Sequence, residues 1–178
     1  NEYSMNPSLP VAIIGGGPAG LMAAQVLVDA GVSVHLFDAM PSVGRKFLLA
    51  GKGGLNLTHS EPADSFAGRY GARRDAIERL LKDFDASALR DWAQGLGIET
   101  FVGTSGRVFP KDMKAAPLLR AWLQRLRHPA AGLGVQFHMR HRWTGWGADN
   151  SLLFDTAQGA LEVKAGAVVL ALGGGSWA

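Results

Sequence analysis

A chain of 178 residues is long enough to bury the core of one ordinary domain and leaves little room for a second. Hydrophobic residues make up 47% of it and its net charge is only +3, which is typical of a globular protein and excludes a disordered chain. Cysteine is absent, which excludes disulfides, thiolate nucleophiles and thiolate metal sites within these residues.

Neither a targeting signal nor a metal site is expected from the sequence. Residues 1–10 lack a cationic segment ahead of an apolar run, so they predict a flexible N-terminus instead of a signal peptide. The apolar stretch 167–172 is too short to cross a bilayer, and a cytoplasmic protein without membrane contact is expected. The five histidines show no paired ligand spacing, which predicts no metal site.

The first strongly patterned segment predicts a strand, a helix and a second strand. The apolar run 11–14 ends in glycines, as a buried parallel strand does. A helix is predicted over 18–30, because proline suits a first helical position and Gly31 supplies a stop. Residues 32–37 form the next predicted strand, which ends at Asp38. This order is that of a βαβ unit.

Short mixed elements are predicted for the middle of the chain. Residues 40–60 are rich in glycine and predict an irregular loop. Amphipathic spacing predicts helices over 72–84 and 86–95, the second behind Asp85 as its N-cap. The remaining predicted elements of this part are a hairpin, 98–102 with 107–109, and a helix, 117–127.

The final third of the chain changes to alternating patterns. Apolar and polar residues alternate over 135–139, and with short strands at 152–156 and 161–164 they predict a three-stranded antiparallel meander. The run 167–172 is apolar on both faces and precedes three glycines, as a returning parallel strand would. The predicted fold class is therefore α/β, a Rossmann-like doubly wound parallel sheet with an antiparallel meander attached.

The glycine turn between the first strand and helix carries the clearest chemical signal. Residues 15–20, Gly-Gly-Gly-Pro-Ala-Gly, have the spacing G-x-G-x-x-G. The first glycine permits the turn, the second lets the backbone approach a pyrophosphate and the third brings helix and strand together, whereas Gly16 is a variable position. Free N–H groups and the helix dipole favour the anion. Asp38, 18 residues past Gly20, can accept hydrogen bonds from ribose hydroxyls, so dinucleotide binding is predicted.

Five short motifs follow one another in a specific order along the chain. A pure nicotinamide domain would continue after its second strand with a helix and a third parallel strand, whereas this chain enters glycine-rich loops. The motifs are residues 15–20, 44–46 (Gly-Arg-Lys), 51–58 (Gly-Lys-Gly-Gly-Leu-Asn-Leu-Thr), 106–110 (Gly-Arg-Val-Phe-Pro) and 171–175 (Ala-Leu-Gly-Gly-Gly). Together they resemble the bacterial NAD(P)/FAD-dependent oxidoreductases of the BaiN type, or aminoacetone-oxidase-like flavoproteins.

The resemblance implies FAD as the cofactor and a set of contacts to it. It puts the pyrophosphate on the glycine turn, the ribose on Asp38, and the isoalloxazine near Asn56 and Thr58, with Trp143 touching adenine through backbone atoms. Many family members carry Arg-Cys where this chain has Gly54 and Leu55, which weakens any carry-over there. The implied cofactor set is Gly15, Gly17, Pro18, Ala19, Gly20, Asp38, Ala39, Arg45, Lys46, Gly53, Asn56, Thr58, Trp143 and Gly173.

The resulting hypothesis is the FAD-binding portion of a flavin-dependent oxidoreductase, with a small-molecule substrate and NAD(P)H as a candidate partner. No catalytic side chain is assigned, because FAD carries the chemistry. An FAD-binding domain is expected over 11–178, with a helical and hairpin segment at 60–127. Since the family continues past this length, a chain truncated before the substrate domain, and inactive by itself, is expected.

Two alternatives stay open beside this hypothesis. One is a module that binds a nicotinamide dinucleotide instead of flavin. The other is a non-catalytic fragment whose basic stretch, free of acidic residues between Asp112 and Asp149, binds a partner or nucleic acid. Nucleic acid is not the favoured partner, because no nucleic-acid-binding motif accompanies the stretch.

Several aromatic and basic residues are expected to have structural roles only. Trp92 and Trp122 are expected to pack in the core. His59 and Arg107 are expected to hold local structure. The remaining expectation is that three histidines are solvated: His128, His138 and His141.

Overall fold

The computed structural model describes residues 9–175. The chain divides into two compact units, one of Asn1–Phe47 with Leu123–Ala178 and one of Leu48–Trp122. Of the predicted flexible N-terminus, residues 1–8 lie outside the described residues. The segment 60–127 lies largely in the second unit, and the single domain over 11–178 stays a prediction. Within residues 9–175 no helix has the length and apolar character that crossing a membrane requires.

A four-stranded parallel sheet forms the centre of the first unit. Its strands, in spatial order, are β10 (Ala167–Leu170), β1 (Val11–Ile14), β2 (Val34–Asp38) and β6 (Gln136–Met139). Helix α1 (Pro18–Asp29) connects β1 to β2 and contacts both strands. The predicted βαβ unit is thereby confirmed.

Helix α1 starts and stops where local chemistry dictates. Gly17 is its N-cap and has extended backbone, and Pro18 takes the first helical position, where a missing N–H costs nothing. After the last turn, the Gly31 N–H donates to the Val28 carbonyl at 2.9 Å. Leu21 and Val28 are among the residues that α1 buries.

An antiparallel meander packs on the other face of the parallel sheet. It has the order β7-β8-β9, with β7 at Arg142–Trp146, β8 at Leu152–Thr156 and β9 at Gly159–Val163. Side chains alternate across a strand, so one face of β1 and β2 is free to meet the meander. The buried cluster between them is Ala12, Ile14, Phe37, Leu152 and Phe154.

The strand at 135–139 was expected in the meander, and that expectation is wrong. It forms β6, which pairs parallel with β2, and the first meander strand is β7, which the pattern did not indicate. Alternation shows that one face of a strand is buried, but it does not say which sheet the strand joins. Gly145 and a register shift between Trp143 and Gly145 obscure the period-2 signal of β7.

The second unit combines short helices with a small antiparallel sheet. The sheet has the order β3-β5-β4, with β3 at Thr58–His59, β4 at Thr100–Val102 and β5 at Arg107–Pro110. The helices are α2 (Arg45–Ala50), α3 (Ala63–Gly68), α4 (Arg74–Asp83), α5 (Ala86–Gly95) and α6 (Ala115–Arg127). Helix α2 begins in the first unit and helix α6 ends in it. Single 3₁₀ turns lie at Gly51–Gly53, at Gly71–Arg73 and, in the first unit, at Ala148–Asn150.

The structure confirms the predicted hairpin and the predicted helices at 72–84, 86–95 and 117–127 to within three residues at each end. Helices α2 and α3 were not expected, and the loop predicted over 40–60 is wrong where α2 and β3 lie. Both helices have only six residues, too few for a periodic pattern to stand out.

The cap and the tryptophans of α5 and α6 match their predicted roles. An Asp85 side-chain oxygen accepts a hydrogen bond from the Ala88 N–H at 2.8 Å, which confirms the N-cap. The rings of Trp92 and Trp122 meet edge to face with centroids 4.7 Å apart, and Trp122 is buried.

Candidate dinucleotide-binding site

The turn between β1 and α1 is built from glycines whose hydrogen atoms face other backbone atoms. Gly15 has a φ of +110°, and a Cβ there would lie 2.2 Å from the Ala171 carbonyl oxygen. A Cβ at Gly20 would lie 1.9 Å from the Gly15 carbonyl oxygen. Both positions therefore require glycine for the turn and for the close approach of α1 to β1 and β10.

Gly17 differs, because a Cβ there would meet no atom within 4 Å. No side chain caps the N-terminus of α1, so its first N–H groups face open space beside Gly17. The positive end of the helix dipole favours an anion at such a place. The open space, the uncapped N–H groups and the twelve-residue helix fit the pyrophosphate of a dinucleotide.

Gly16 was expected to be a variable position, and the structure corrects this. A Cβ at Gly16 would lie 2.4 Å from Val43 Cγ1 and 2.9 Å from Asp38 Oδ2. In addition, the Gly44 N–H donates to the Gly16 carbonyl at 2.8 Å. The middle glycine is thus enclosed by the loop that follows β2, and a side chain would displace that loop.

Asp38 ends β2 and binds two backbone groups. Its Oδ2 accepts a hydrogen bond from the Gly16 N–H at 2.7 Å, and its Oδ1 accepts one from the Met40 N–H at 2.8 Å. The half-buried carboxylate keeps further lone pairs for ribose hydroxyls. Asp38 therefore also holds the glycine turn against the end of β2, a role that the sequence did not reveal. The exposed Ala39 follows it directly.

Lys46 and Gly173 come together beside the glycine turn. The Lys46 Nζ lies 3.9 Å from where a Cβ on Gly173 would be, and the Ala171 N–H donates to the Ile14 carbonyl at 2.8 Å. Because β10, β1 and β2 are parallel neighbours, their carboxyl ends meet at one edge of the sheet. That edge brings together the glycine turn, Asp38, Lys46 and Gly173, while Arg45 is exposed in the first turn of α2.

Gly53, Asn56 and Thr58 lie in the second unit, on an ordered segment. The Leu55 N–H donates to the Met113 carbonyl at 2.9 Å and the Leu57 N–H to the Val108 carbonyl at 2.8 Å. Leu55 is buried and Asn56 is exposed, and a Cβ on Gly53 would meet no atom within 4 Å. The flavin contacts implied for these residues stay predictions.

Trp143 packs into the core of the first unit with its side chain. Its ring contacts the buried cluster between sheet and meander and meets Trp146 at a centroid distance of 5.4 Å. Its indole N–H is buried without a hydrogen-bond partner among residues 9–175. A contact to adenine through backbone atoms stays a prediction.

The turn between β6 and β7 was not predicted from the sequence, and it is hydrogen-bonded to the segment at Asp38 in the candidate site. The Arg140 N–H donates to the Met40 carbonyl at 3.1 Å, and the His141 N–H donates to the Asp38 carbonyl at 2.9 Å. Arg140 has a φ of +60°, which is uncommon for a residue with a side chain. Since arginine is not a typical residue for this conformation, the sequence carried no signal for the turn.

His138 was expected to be solvated, and this is wrong. Its Nε2 lies 3.0 Å from His35 Nδ1, a hydrogen bond, and its ring stacks on Phe37 with centroids 4.5 Å apart. Burial lowers the pKa of His138, as it does that of His35. His141 is half-buried as well, whereas His128 is exposed as expected.

His59 makes a structural contact with the segment around Gly106. His59 Nε2 donates to the Ser105 carbonyl at 2.9 Å, and Nδ1 accepts from the Glu61 N–H at 3.1 Å, so both ring nitrogens are engaged. This confirms the structural role expected for His59. The exposed Arg107 faces His59 in register across β3 and β5.

A cavity lies apart from the implied cofactor residues, and the described residues contain no candidate metal centre. Within residues 9–175 no three His, Asp or Glu side chains are grouped to hold an ion. A cavity of about 240 Å³ in the second unit is lined by Ser60, Glu61, Phe66, Leu81 and Arg90, among others, and by none of the implied cofactor residues.

A parallel sheet with a glycine turn, an open helix N-terminus and an acidic residue at the end of β2 defines a Rossmann dinucleotide-binding unit. The chain belongs to the family of the HI0933-like protein Rossmann domain, whose profile matches residues 9–178. This membership confirms the α/β fold class and supports FAD as the dinucleotide that this portion binds.

Known proteins are similar to parts of the chain. The ribosomal RNA dihydrouridine synthase of Haemophilus influenzae is 43% identical over 61 residues, 34% of this chain and 14% of that protein. The thiamine thiazole synthase of Methanococcus aeolicus is 37% identical over 73 residues, 41% of this chain and 28% of that protein. A flavocytochrome c3 fumarate reductase in an open conformation shares the fold, with a TM-score of 0.67 and 18% identity over 95% of this chain and 34% of that chain.

Proposed function

We propose that the protein is a BaiN-type oxidoreductase that passes hydride or electrons between a small-molecule substrate and FAD, with NAD(P)H as the candidate donor. One observation carries the cofactor assignment: the glycine turn, Asp38, Lys46 and Gly173 share the carboxyl edge of the parallel sheet. The chain spans 14% and 28% of the two curated relatives above, so the reaction of the whole protein is part of the proposal.

Each of these residues has a defined task in holding FAD. The N–H groups of the first turn of α1 would bind the pyrophosphate, and the open face of Gly17 leaves room for it. Asp38 would accept hydrogen bonds from the ribose hydroxyls while it keeps Gly16 in place. The ammonium group of Lys46, at Gly173, would add positive charge beside the anion. Bound FAD supplies the electron-transfer chemistry itself.

A second candidate reaction is the reduction of a base in RNA. It is supported by the 43% identity to a ribosomal RNA dihydrouridine synthase and by the absence of acidic residues between Asp112 and Asp149. A basic stretch of this kind suits a polyanionic substrate, because arginine and lysine neutralise phosphates. The sequence carries Gly54 and Leu55 where the resemblance to the BaiN-type family implies Arg-Cys, which weighs against a reaction that needs a thiol at that place.

The cofactor and the reaction are tested on one preparation. The purified protein is expected to be yellow, to release FAD on denaturation, and to lose the flavin band in the variant Gly17→Val. Anaerobic mixing with NADH or NADPH tests the donor, and mass spectrometry of ribosomal RNA from cells lacking the gene tests the RNA reaction. A colourless protein that binds NAD in place of FAD would contradict the proposal.

A further inference from the structure

A stack of aromatic rings lies beside the carboxyl edge of the parallel sheet, on the strand that ends at Asp38 and on its neighbours. His35 and Phe37 are on the same face of β2, and His138 pairs in register with Phe37 on the neighbouring strand β6. Ring centroids are 5.0 Å apart for His35 and His138 and 4.5 Å apart for Phe37 and Phe154, which belongs to β8. The rings therefore join the parallel sheet to the meander.

The two histidines make one hydrogen bond that depends on their charge. With His138 Nε2 and His35 Nδ1 3.0 Å apart, two uncharged rings place one proton between them. A first added proton brings charge into a half-buried stack, and a second leaves hydrogens on both facing nitrogens. Burial, and for His138 the neighbouring His35 and His141, lower the pKa of both rings.

Among residues 9–175 no acidic side chain is paired with either ring to compensate such a charge. The His141 ring lies 5.6 Å from that of His138, centroid to centroid, and would repel it when charged. Both oxygens of Asp38 bind backbone N–H groups, and Glu162 on β9 accepts from Ser151. The other ionisable groups on these elements are exposed: Arg140, Arg142 and Asp155.

The stack is connected to the candidate ribose site through the backbone. His138 is followed at once by the turn whose Arg140 and His141 N–H groups bind the carbonyls of Met40 and Asp38 at 3.1 Å and 2.9 Å. His35 lies three residues before Asp38 on the same strand. Moving β6 away from β2 would therefore pull on the segment that orients the Asp38 carboxylate.

We propose that the His35–His138 contact makes the affinity for the adenosine part of the dinucleotide depend on pH, so that the cofactor binds more weakly in acid. The proposal rests on the proposed FAD site, since it concerns the regulation of that site. With both rings uncharged the turn holds Asp38 in place, and with the rings protonated the contact opens.

The test is a titration of ADP and FAD into flavin-free protein at pH 7.5 and pH 5.5. We expect the affinity to fall about threefold to tenfold at pH 5.5, tenfold being the limit for one coupled proton on a group of pKa about 6.5. The double variant His35→Phe/His138→Phe keeps the stacking and is expected to bind alike at both pH values. His128→Gln, which changes an exposed histidine, is the matched control and keeps the wild-type pH dependence.

The outcomes separate the two proposals. If neither ADP nor FAD binds at pH 7.5, the dinucleotide site itself is wrong. If they bind with equal affinity at both pH values, or if the double variant keeps the pH dependence, the histidine switch is wrong. Should circular dichroism show the double variant unfolded, His138→Gln is tested instead. Its amide can bond to His35 but cannot become charged, so most of the pH dependence should be lost, and retention of the full pH dependence would overturn the proposal.

Discussion

Replacing Asp38 perturbs both the cofactor site and the fold that supports it. Asp38→Ala removes the acceptors of the Gly16 and Met40 N–H groups, which donate at 2.7 Å and 2.8 Å. Hydrogen bonds to charged groups contribute about 1.5–3 kcal/mol each, but here water can reach the half-buried site and replace part of both. We expect a loss of about 2 kcal/mol in the free energy of unfolding, which leaves a domain of ordinary stability folded.

The same substitution removes the contact to the ribose. That contact is worth about 1.5–3 kcal/mol, so the affinity for FAD should fall about 10-fold to 100-fold. Urea unfolding of the flavin-free protein measures the first effect, and calorimetric titration with FAD measures the second.

Two further variants sharpen the interpretation of Asp38. Asp38→Asn keeps one carbonyl acceptor but turns an amide N–H group toward the other backbone donor, so its stability should lie between those of wild type and Asp38→Ala. Asp155→Asn makes the same chemical change at an exposed strand position and should alter neither quantity. Unchanged FAD affinity in Asp38→Ala would refute the ribose role, and unchanged stability would refute the link to the glycine turn.

Three other perturbations follow from the same contacts. Gly16→Ala should lower the unfolding free energy by about 1–3 kcal/mol, because its Cβ would lie 2.4 Å from a Val43 methyl, whereas Gly17→Ala should leave stability unchanged and weaken FAD binding; equal melting temperatures and equal affinities in both variants would contradict this. Burial lowers the pKa of His35 and His138 relative to the unfolded chain, so their contribution to stability should be complete above about pH 6.5 and fall as the pH drops below it. Urea unfolding midpoints at pH 7.5 and 5.5 measure this contribution. A drop of the same size in a variant without the two histidines would disprove it. Asp85→Ala should cost about 1 kcal/mol of unfolding free energy through the lost N-cap of α5, and a chemical denaturation curve superposable on wild type would rule that cap out as a stabilising contact.

Much of the local structure could be predicted from short stretches of sequence. The apolar run of β1, the proline at the start of α1 and Gly31 after it act within a few residues, and the βαβ unit follows from them. The N-cap Asp85 binds a group three residues away, so it too is visible along the chain. Family membership then identified FAD as the cofactor, which no single motif determines.

What the sequence could not supply are contacts between distant residues. Gly16 and Asp38, which are joined by a hydrogen bond, are 22 residues apart along the chain. His35 and His138, whose rings are hydrogen-bonded, are 103 residues apart. Alternation in β6 showed a buried face without revealing that its partner is β2. The motif spacing likewise left Gly16 free to vary, because its neighbour Val43 belongs to another loop.

The difference has a physical cause. Helix caps, turns and period are set by hydrogen bonds and sterics over a few neighbouring residues, so the sequence of this chain by itself determined the glycine turn, α1 and α5. Strand partners and packed rings are chosen by burial among segments that meet only on folding, so the tertiary structure alone decided the place of β6, the hydrogen bond from the Gly16 N–H to Asp38, and the histidine stack.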